Sequence, residues 1–409
     1  MYKNTTQKIL KWIDNRFPLS KMWKEHMSEY YAPKNFNFWY YFGSLALLIF
    51  GMQVLSGIWL TMFYNPSSLE AFDSVEYIMR DVKFGWLIRY VHSTGASFFF
   101  IVIYLHIFRG LLYGSYKKPR ELLWIIGVII FLCLLAECFF GYLLPWGNMS
   151  FWGAQVITSL FGAIPIIGDS LVEWIRGDFT VSGVTLNRFF SIHVSAVPII
   201  FLILIVSHLM ALHEVGSLNP DGIEIKENKN EKGIPIDGIP MHPYYTVKDL
   251  FGFSVFAVLF FSVVFFIPDF FGYFIEAPNF TPADPLATPE HIAPVWYMTP
   301  YYAILRAIPN KLIGVIAMGA SIAILFALPW LDKSPVKSIR YKGILSKMAL
   351  SIFIISFFIL GYLGMEPPSD GKTLLAQICS FIYFAFFLLM PIYSSMDKCK
   401  EIPKRVNKK

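Results

Sequence analysis

Charge is what this chain has least of. Only 15% of its 409 residues are Asp, Glu, Lys or Arg, while 56% are hydrophobic. A soluble domain carries about 25% charged residues, so that class is excluded. No nucleic-acid partner is expected. Cysteine is scarce as well. Cys133, Cys138, Cys379 and Cys399 form no C-x-x-C-H run and no metal-ligand spacing. This excludes covalent haem attachment and an iron–sulfur cluster held by this polypeptide. Three of the four lie in or beside apolar runs and read as packing residues, and no disulfide is expected. A cleavable leader is not expected either, because Met1 to Glu29 is basic and polar without an apolar core.

Long apolar runs take the place of charge. Eight of them, at 38–63, 86–112, 122–144, 188–213, 250–272, 312–331, 346–364 and 374–394, are each near the length a bilayer requires. The expectation is an all-α membrane protein with eight transmembrane helices. Lysine and arginine crowd alternate loops: Lys3, Lys8, Lys11 and Arg16 before the first run, Lys117, Lys118 and Arg120 after the second, Lys226, Lys229 and Lys232 after the fourth. Lys333, Lys337 and Arg340 follow the sixth, and Lys398, Lys400, Lys404 and Arg405 follow the last. The positive-inside rule then puts both termini in the cytoplasm. The segment Met1 to Phe36 is basic and aromatic and should lie along the membrane surface. On the opposite, outer side, the loops 145–187 and 273–311 are rich in Pro, Gly and aromatics, and chemistry is expected there.

Four histidines organise the first half. His92 and His106 are fourteen residues apart in one run. Fourteen residues are nearly four helical turns, so both imidazoles leave one face, roughly 21 Å apart. His193 and His208 are fifteen apart with Pro198 between them. Fifteen residues overshoot a shared face by about 60°, which a one-residue bulge would absorb. Two pairs result, His92 with His193 and His106 with His208, and bis-histidine ligation of two haem irons fits them. A single such histidine reads as a hydrogen-bonded core residue; two matched pairs argue for ligation. His26, His242 and His291 have no paired counterpart.

Glycines repeat the same spacing. Gly43 and Gly57 are fourteen apart in the first run, and so are Gly127 and Gly141 in the third. They would leave notches at the two histidine depths, although small residues also serve ordinary helix packing. Arg89 lies three residues before His92 and Arg109 three after His106, and they would meet haem propionates. The first four helices would then form a di-haem four-helix bundle.

Several motifs carry a resemblance across nearly the whole chain: GYLLPWGNMSFWGA from Gly141, NRFFSIH before His193, HEVGS from His213, HPYYTVKD from His242 and PVWY from Pro294. They resemble the cytochrome b family of the quinol:cytochrome c oxidoreductases, the bc complex or complex III. The fifteen-residue pair and HEVGSLNPDG resemble bacterial forms, which implies the bacterial inner membrane. The resemblance implies two non-covalent b-type haems, low-potential on the outer side and high-potential on the inner side. It implies that quinol is oxidised at an outer site, and that electrons pass through both haems to quinone at an inner site, feeding the proton gradient by a Q cycle. It also implies a Rieske iron–sulfur protein and a membrane-anchored c-type cytochrome as partners, within a homodimeric complex. Residues 1–215 would be the di-haem unit, 216–249 a cytoplasmic linker, and 250–409 a second unit completing the quinol site.

By that resemblance the outer quinol site includes Tyr142, Trp146, Gly147, Trp152, Gly153 and Ala154, together with Pro294, Trp296, Tyr297 and Tyr302. The inner site includes His213, Ser217, Lys248 and Asp249. One departure stands out. The motif position often held by a proton-accepting glutamate is Val295, which cannot titrate. Glu290, five residues earlier, is the first expected substitute, and the intramembrane Glu137 is the second. Two other readings compete: a di-haem anchor of another dehydrogenase, which would not need PVWY, and a haem-free transporter using His, Glu and Arg as a proton relay.

Overall fold

The structure is a computed structural model and describes residues 2–24 and 29–406; His26 lies outside the described residues. Among the described residues, eight helices are long and apolar enough to cross a membrane: α1 (Phe38–Thr61), α2 (Gly85–Tyr113), α3 (Glu121–Leu143), α4 (Gly183–Val215), α5 (Met241–Phe266), α6 (Lys311–Leu331), α7 (Ile344–Met365) and α8 (Asp370–Leu388). Polar side chains cap several starts. Ser182 and Thr185 form a reciprocal cap on α4, Asn310 accepts from the Ile313 amide at α6, and Ser369 accepts from Lys372 at α8. Helix α4 starts at Gly183 and not 188, α5 starts at Met241 and not 250, and two helix ends also differ from the apolar pattern. Helix α5 stops at Phe266, not 272, because Ile267 is extended ahead of Pro268. The eighth run breaks after Leu388, and a new helix, Met390–Met396, starts with a proline in its first turn.

Helix α4 contains the bulge that the fifteen-residue spacing requires. Residues Ile192–Ala196 form a π-helical turn, with the Val197 amide bonded to the Ile192 carbonyl five residues back. Pro198 lies just beyond, where its missing N–H already weakens the regular ladder.

Helix α1 packs along α2 and α3 along α4, while α5 lies against α1 and α2, and α6 against α3. Lipid offers little hydrophobic drive between helices, so close packing carries the association. Phe100 on α2 stacks on Tyr297 with ring centres 3.7 Å apart, joining the first four helices to the loop before α6. A short helix, Thr299–Ala307, packs against α6, α7 and α8. Ile199, Ile203 and Met210 on α4, and Phe251, Val258 and Phe266 on α5, remain exposed. Apolar faces of that size suit lipid and not water. The chain is a multi-pass membrane protein.

The polar segments gather on one face. Strand β1 (Tyr31–Pro33) pairs antiparallel with β2 (Gly238–Pro240). Asp237 between them is buried and takes Lys34 at 2.7 Å and Arg405 at 2.8 Å. Those cations hold its carboxyl well below the usual aspartate range. Buried Arg120 forks onto Glu224 at 2.5 and 2.8 Å, and Lys337 reaches the same carboxylate. The 29–37 segment, the 216–240 linker, the loop after α6 and the tail beyond α8 are thereby tied together. This is the termini face; the opposite loop face carries the 144–182 and 267–310 connections.

Candidate functional site

The bundle brings the four histidines into two facing pairs. His92 on α2 faces His193 on α4 with ring centres 6.2 Å apart, and His106 faces His208 at 6.4 Å. A metal–imidazole bond is about 2 Å, so two rings ligating one ion from opposite sides have centres about 6 Å apart. Each glycine stands against one of these rings. An added Cβ would lie 3.2 Å from His92 Cε1 at Gly57, 3.3 Å from His106 Cε1 at Gly43, and 3.3 Å from His208 Cε1 at Gly127. At Gly141 it would lie only 2.5 Å from His193 Cε1 and 3.0 Å from both ring nitrogens. If His92 and His193 hold a b-type haem, as the resemblance implies, a Gly141→Ala protein should displace the His193 ring and lose most of one b-type absorbance band. Gly127→Ala should keep both bands, and absorbance per mole of purified protein checks the difference.

One cavity of about 880 Å³ opens on the loop-face pair. It is lined by Gly57, His92, Gly141 and His193, by Arg89, and also by Glu137, Tyr142, Val295 and Tyr297. The expected cofactor slot and the expected quinol slot are thus one continuous space. Arg80 also reaches it, paired to Glu76 at 2.6 Å, and is a cation that spacing did not single out.

The first expected carboxylate does not reach that cavity. Glu290 is exposed and does not line it, so its expected placement is corrected: the loop turns that side chain outward. Glu276 lines the cavity instead. The Tyr142 hydroxyl donates to its Oε2 at 3.0 Å, and Asn279 Nδ2 donates to the same oxygen at 3.0 Å and to the Tyr142 oxygen at 3.1 Å. Burial outweighs these bonds and pushes the Glu276 carboxyl up to about 7. Glu137 lines the cavity too, but its Oε1 lies 3.1 Å from His193 Nδ1.

Other expected quinol-site residues stand behind the cavity wall. Gly147 lets the 276–287 loop dock, since a Cβ there would lie 2.8 Å from the Asn279 Cα. Trp152 donates to the Asp284 carbonyl at 3.1 Å, Trp146 and Ala154 are buried in the same packing cluster, and Gly153 backs the Tyr142 ring. Trp296 donates to Ser97 at 3.1 Å, and Tyr302 lies under the Arg306 guanidinium. Pro294 precedes the cavity-lining Val295 without lining it. These positions shape the wall; Tyr142 and Tyr297 alone of the ten face the space.

On the termini face, Tyr30 joins two expected residues: its ring lies 4.6 Å from that of His213, and its hydroxyl is 3.5 Å from Ser217 Oγ. Asp249 accepts from Ser44 at 3.1 Å, next to Gly43 on α1. Lys248 packs its ammonium on Tyr245. Arg109 spans from Ser115 to the Tyr40 ring, and its buried Nε has no partner. An orphaned guanidinium nitrogen beside His106 suits an anionic group.

A family model described as cytochrome b/b6/petB matches residues 27–216, and one described as cytochrome b (C-terminal)/b6/petD matches 282–384. The chain is 61% identical to cytochrome b of Allochromatium vinosum over 97% of this chain and 98% of that protein. It is 48% identical to cytochrome b of Rickettsia typhi over 99% of this chain and all of that protein. The chain belongs to the cytochrome b family. A solved structure described as a hyperthermophilic respiratory Complex III aligns with a TM-score of 0.88 at 41% identity, covering 95% of this chain and 99% of that one. Membership in the cytochrome b family implies b-type haem. The residues fit that group: two imidazole pairs at one-ion spacing, a small residue against each ring, and a half-buried arginine beside each pair.

Proposed function

We propose that this cytochrome b is the quinol-oxidising and quinone-reducing subunit of a respiratory complex III. The observation that carries the reading is the pair of facing histidine couples, at 6.2 and 6.4 Å, in one bundle. His92 and His193 would hold one b-type haem and His106 and His208 the other, with Arg89 and Arg109 placed for their propionates. Bound there, the two haems supply a one-electron path between the membrane faces, completing a Q cycle.

The protein's own groups do the rest. Tyr142, Val295 and Tyr297 line one wall of a slot that admits a quinol ring. Glu276, ionised near neutral pH and aimed by Tyr142 and Asn279, accepts a quinol proton. On the termini face, His213 hydrogen-bonds a quinone carbonyl, Ser217 lies beside it, and Asp249 delivers protons from the cytoplasm. Residues 1–215 serve as the haem unit, 216–249 as the linker, and 250–409 as the unit completing the quinol slot. The setting is the bacterial inner membrane with cytoplasmic termini. Since the chain has no cysteine spacing for a cluster, the other quinol electron goes to a Rieske iron–sulfur protein and on to a membrane-anchored c-type cytochrome, in a dimeric complex. A potentiometric titration of the b-type absorbance tests this reading. Two separate one-electron transitions are expected; a single transition or a colourless protein would overturn it.

A further inference from the structure

Glu137 has no role in the function above, yet it is the most unusual group in the bundle. It lies on α3 one turn before Gly141, so both residues face the His193 ring from the same side. His193 Nδ1 is 3.0 Å from the Glu137 carbonyl and 3.1 Å from its Oε1. The N–H is donated to the peptide oxygen, and the carboxylate stands beside it at ion-pair distance. Glu137 Oε2 is buried without a hydrogen-bond partner, so nothing else draws the carboxylate away.

The other imidazoles are built differently. His92 Nδ1 lies 3.0 Å from Ser56 Oγ, whose own proton goes to the Met52 carbonyl at 2.7 Å, so His92 donates to a neutral hydroxyl oxygen. His106 Nδ1 has no partner. Among the described residues, His193 alone of the four has a carboxylate within ion-pair distance.

We propose that Glu137 is a positioning residue that sets the reduction potential at the loop face: its carbonyl accepts the Nδ1–H of His193 and so leaves Nε2 as the lone-pair nitrogen, and its carboxylate, 3.1 Å from Nδ1, makes that imidazole the more basic ligand. This rests on His193 being a haem ligand. A negative charge beside the ring N–H raises the basicity of the imidazole, and a stronger donor stabilises the ferric over the ferrous iron. One acid on one of four rings makes the two haem positions unequal and renders the loop-face position harder to reduce. It also explains why Glu137 is poorly placed as a quinol proton acceptor: its oxygen is committed to the ligand.

The test is a redox titration of the intact complex with Glu137→Gln, followed at the b-type band and by low-temperature electron paramagnetic resonance of the ferric state. The amide keeps the size and an acceptor oxygen but removes the carboxylate. The expected result is unchanged haem content, one transition raised by about 59 mV, which is tenfold in a one-electron equilibrium, the other unmoved, and a shift in one low-spin signal. Two unmoved transitions, or two moved equally, overturn the proposal. If Glu137→Gln loses one band, Glu137→Asp decides: a retained band at the native potential supports the carboxylate role, and a lost band assigns the position to packing. A wild-type complex without two b-type transitions would instead sink the ligand reading, before any variant is compared.

Discussion

A Glu276→Gln protein is expected to oxidise quinol at least about 100-fold more slowly than the parent, the usual loss when a positioned general base is removed. The physical basis is the site Glu276 occupies. It faces the cavity beside Tyr142, receives hydrogen bonds from Tyr142 and Asn279, and has its carboxyl raised to about 7. Only the ionised form can take a proton. The parent rate should therefore climb as pH rises through about 7 and fall away below it, and the variant should lose that acid limb. Both curves come from steady-state quinol oxidation between pH 5 and 9. Glu290→Gln, at the exposed position, should reproduce the parent curve. A Glu276→Gln enzyme with full rate and an intact acid limb would remove Glu276 from the proton path.

Replacing His193 by Asn should abolish one haem site outright. The ring is half of a pair whose centres are 6.2 Å apart, and the shorter amide cannot reach an ion placed for imidazole. Haem per polypeptide should fall by roughly half, with the other b-type band intact, because the His106–His208 pair is a separate site about four turns away. His208→Asn should remove the other band and spare the first. Pyridine haemochrome content and difference spectra read this directly. Equal loss of both bands in each variant would mean that the pairs do not act as independent sites.

Much of the fold was legible because the bilayer simplifies the code. An apolar run of about twenty residues admits one solution, a helix with its backbone satisfied internally. Even the π-turn at Ile192–Ala196 was implied by arithmetic, since fifteen residues cannot keep His193 and His208 on one face without an extra step. Boundaries failed where proline intervened, at Pro268 and Pro391, because hydropathy does not register a missing N–H.

The proton-accepting candidate was not legible, and the reason is distance along the chain. Glu276 meets Tyr142 across 134 residues, so no local spacing links them. The available signal was a single acid inside the aromatic run Phe270 to Phe280. Glu290 looked better only because it is nearer to Val295. Trp146, Trp152 and Trp296 likewise read as quinone contacts from their motifs, whereas each indole is spent on wall packing or a hydrogen bond.

By itself, the sequence determined the membrane class, the eight crossings, the pairing of four histidines and the small residues that accommodate them. All of these follow from periodicities of one helix, which are local. Tertiary structure alone decided that Glu276 enters the cavity and Glu290 does not, that one space reaches both His92 and His193 and Tyr142 and Tyr297, and that Glu137 lies against His193. Those outcomes depend on how distant segments dock, and docking is set by packing that no run of neighbouring residues encodes.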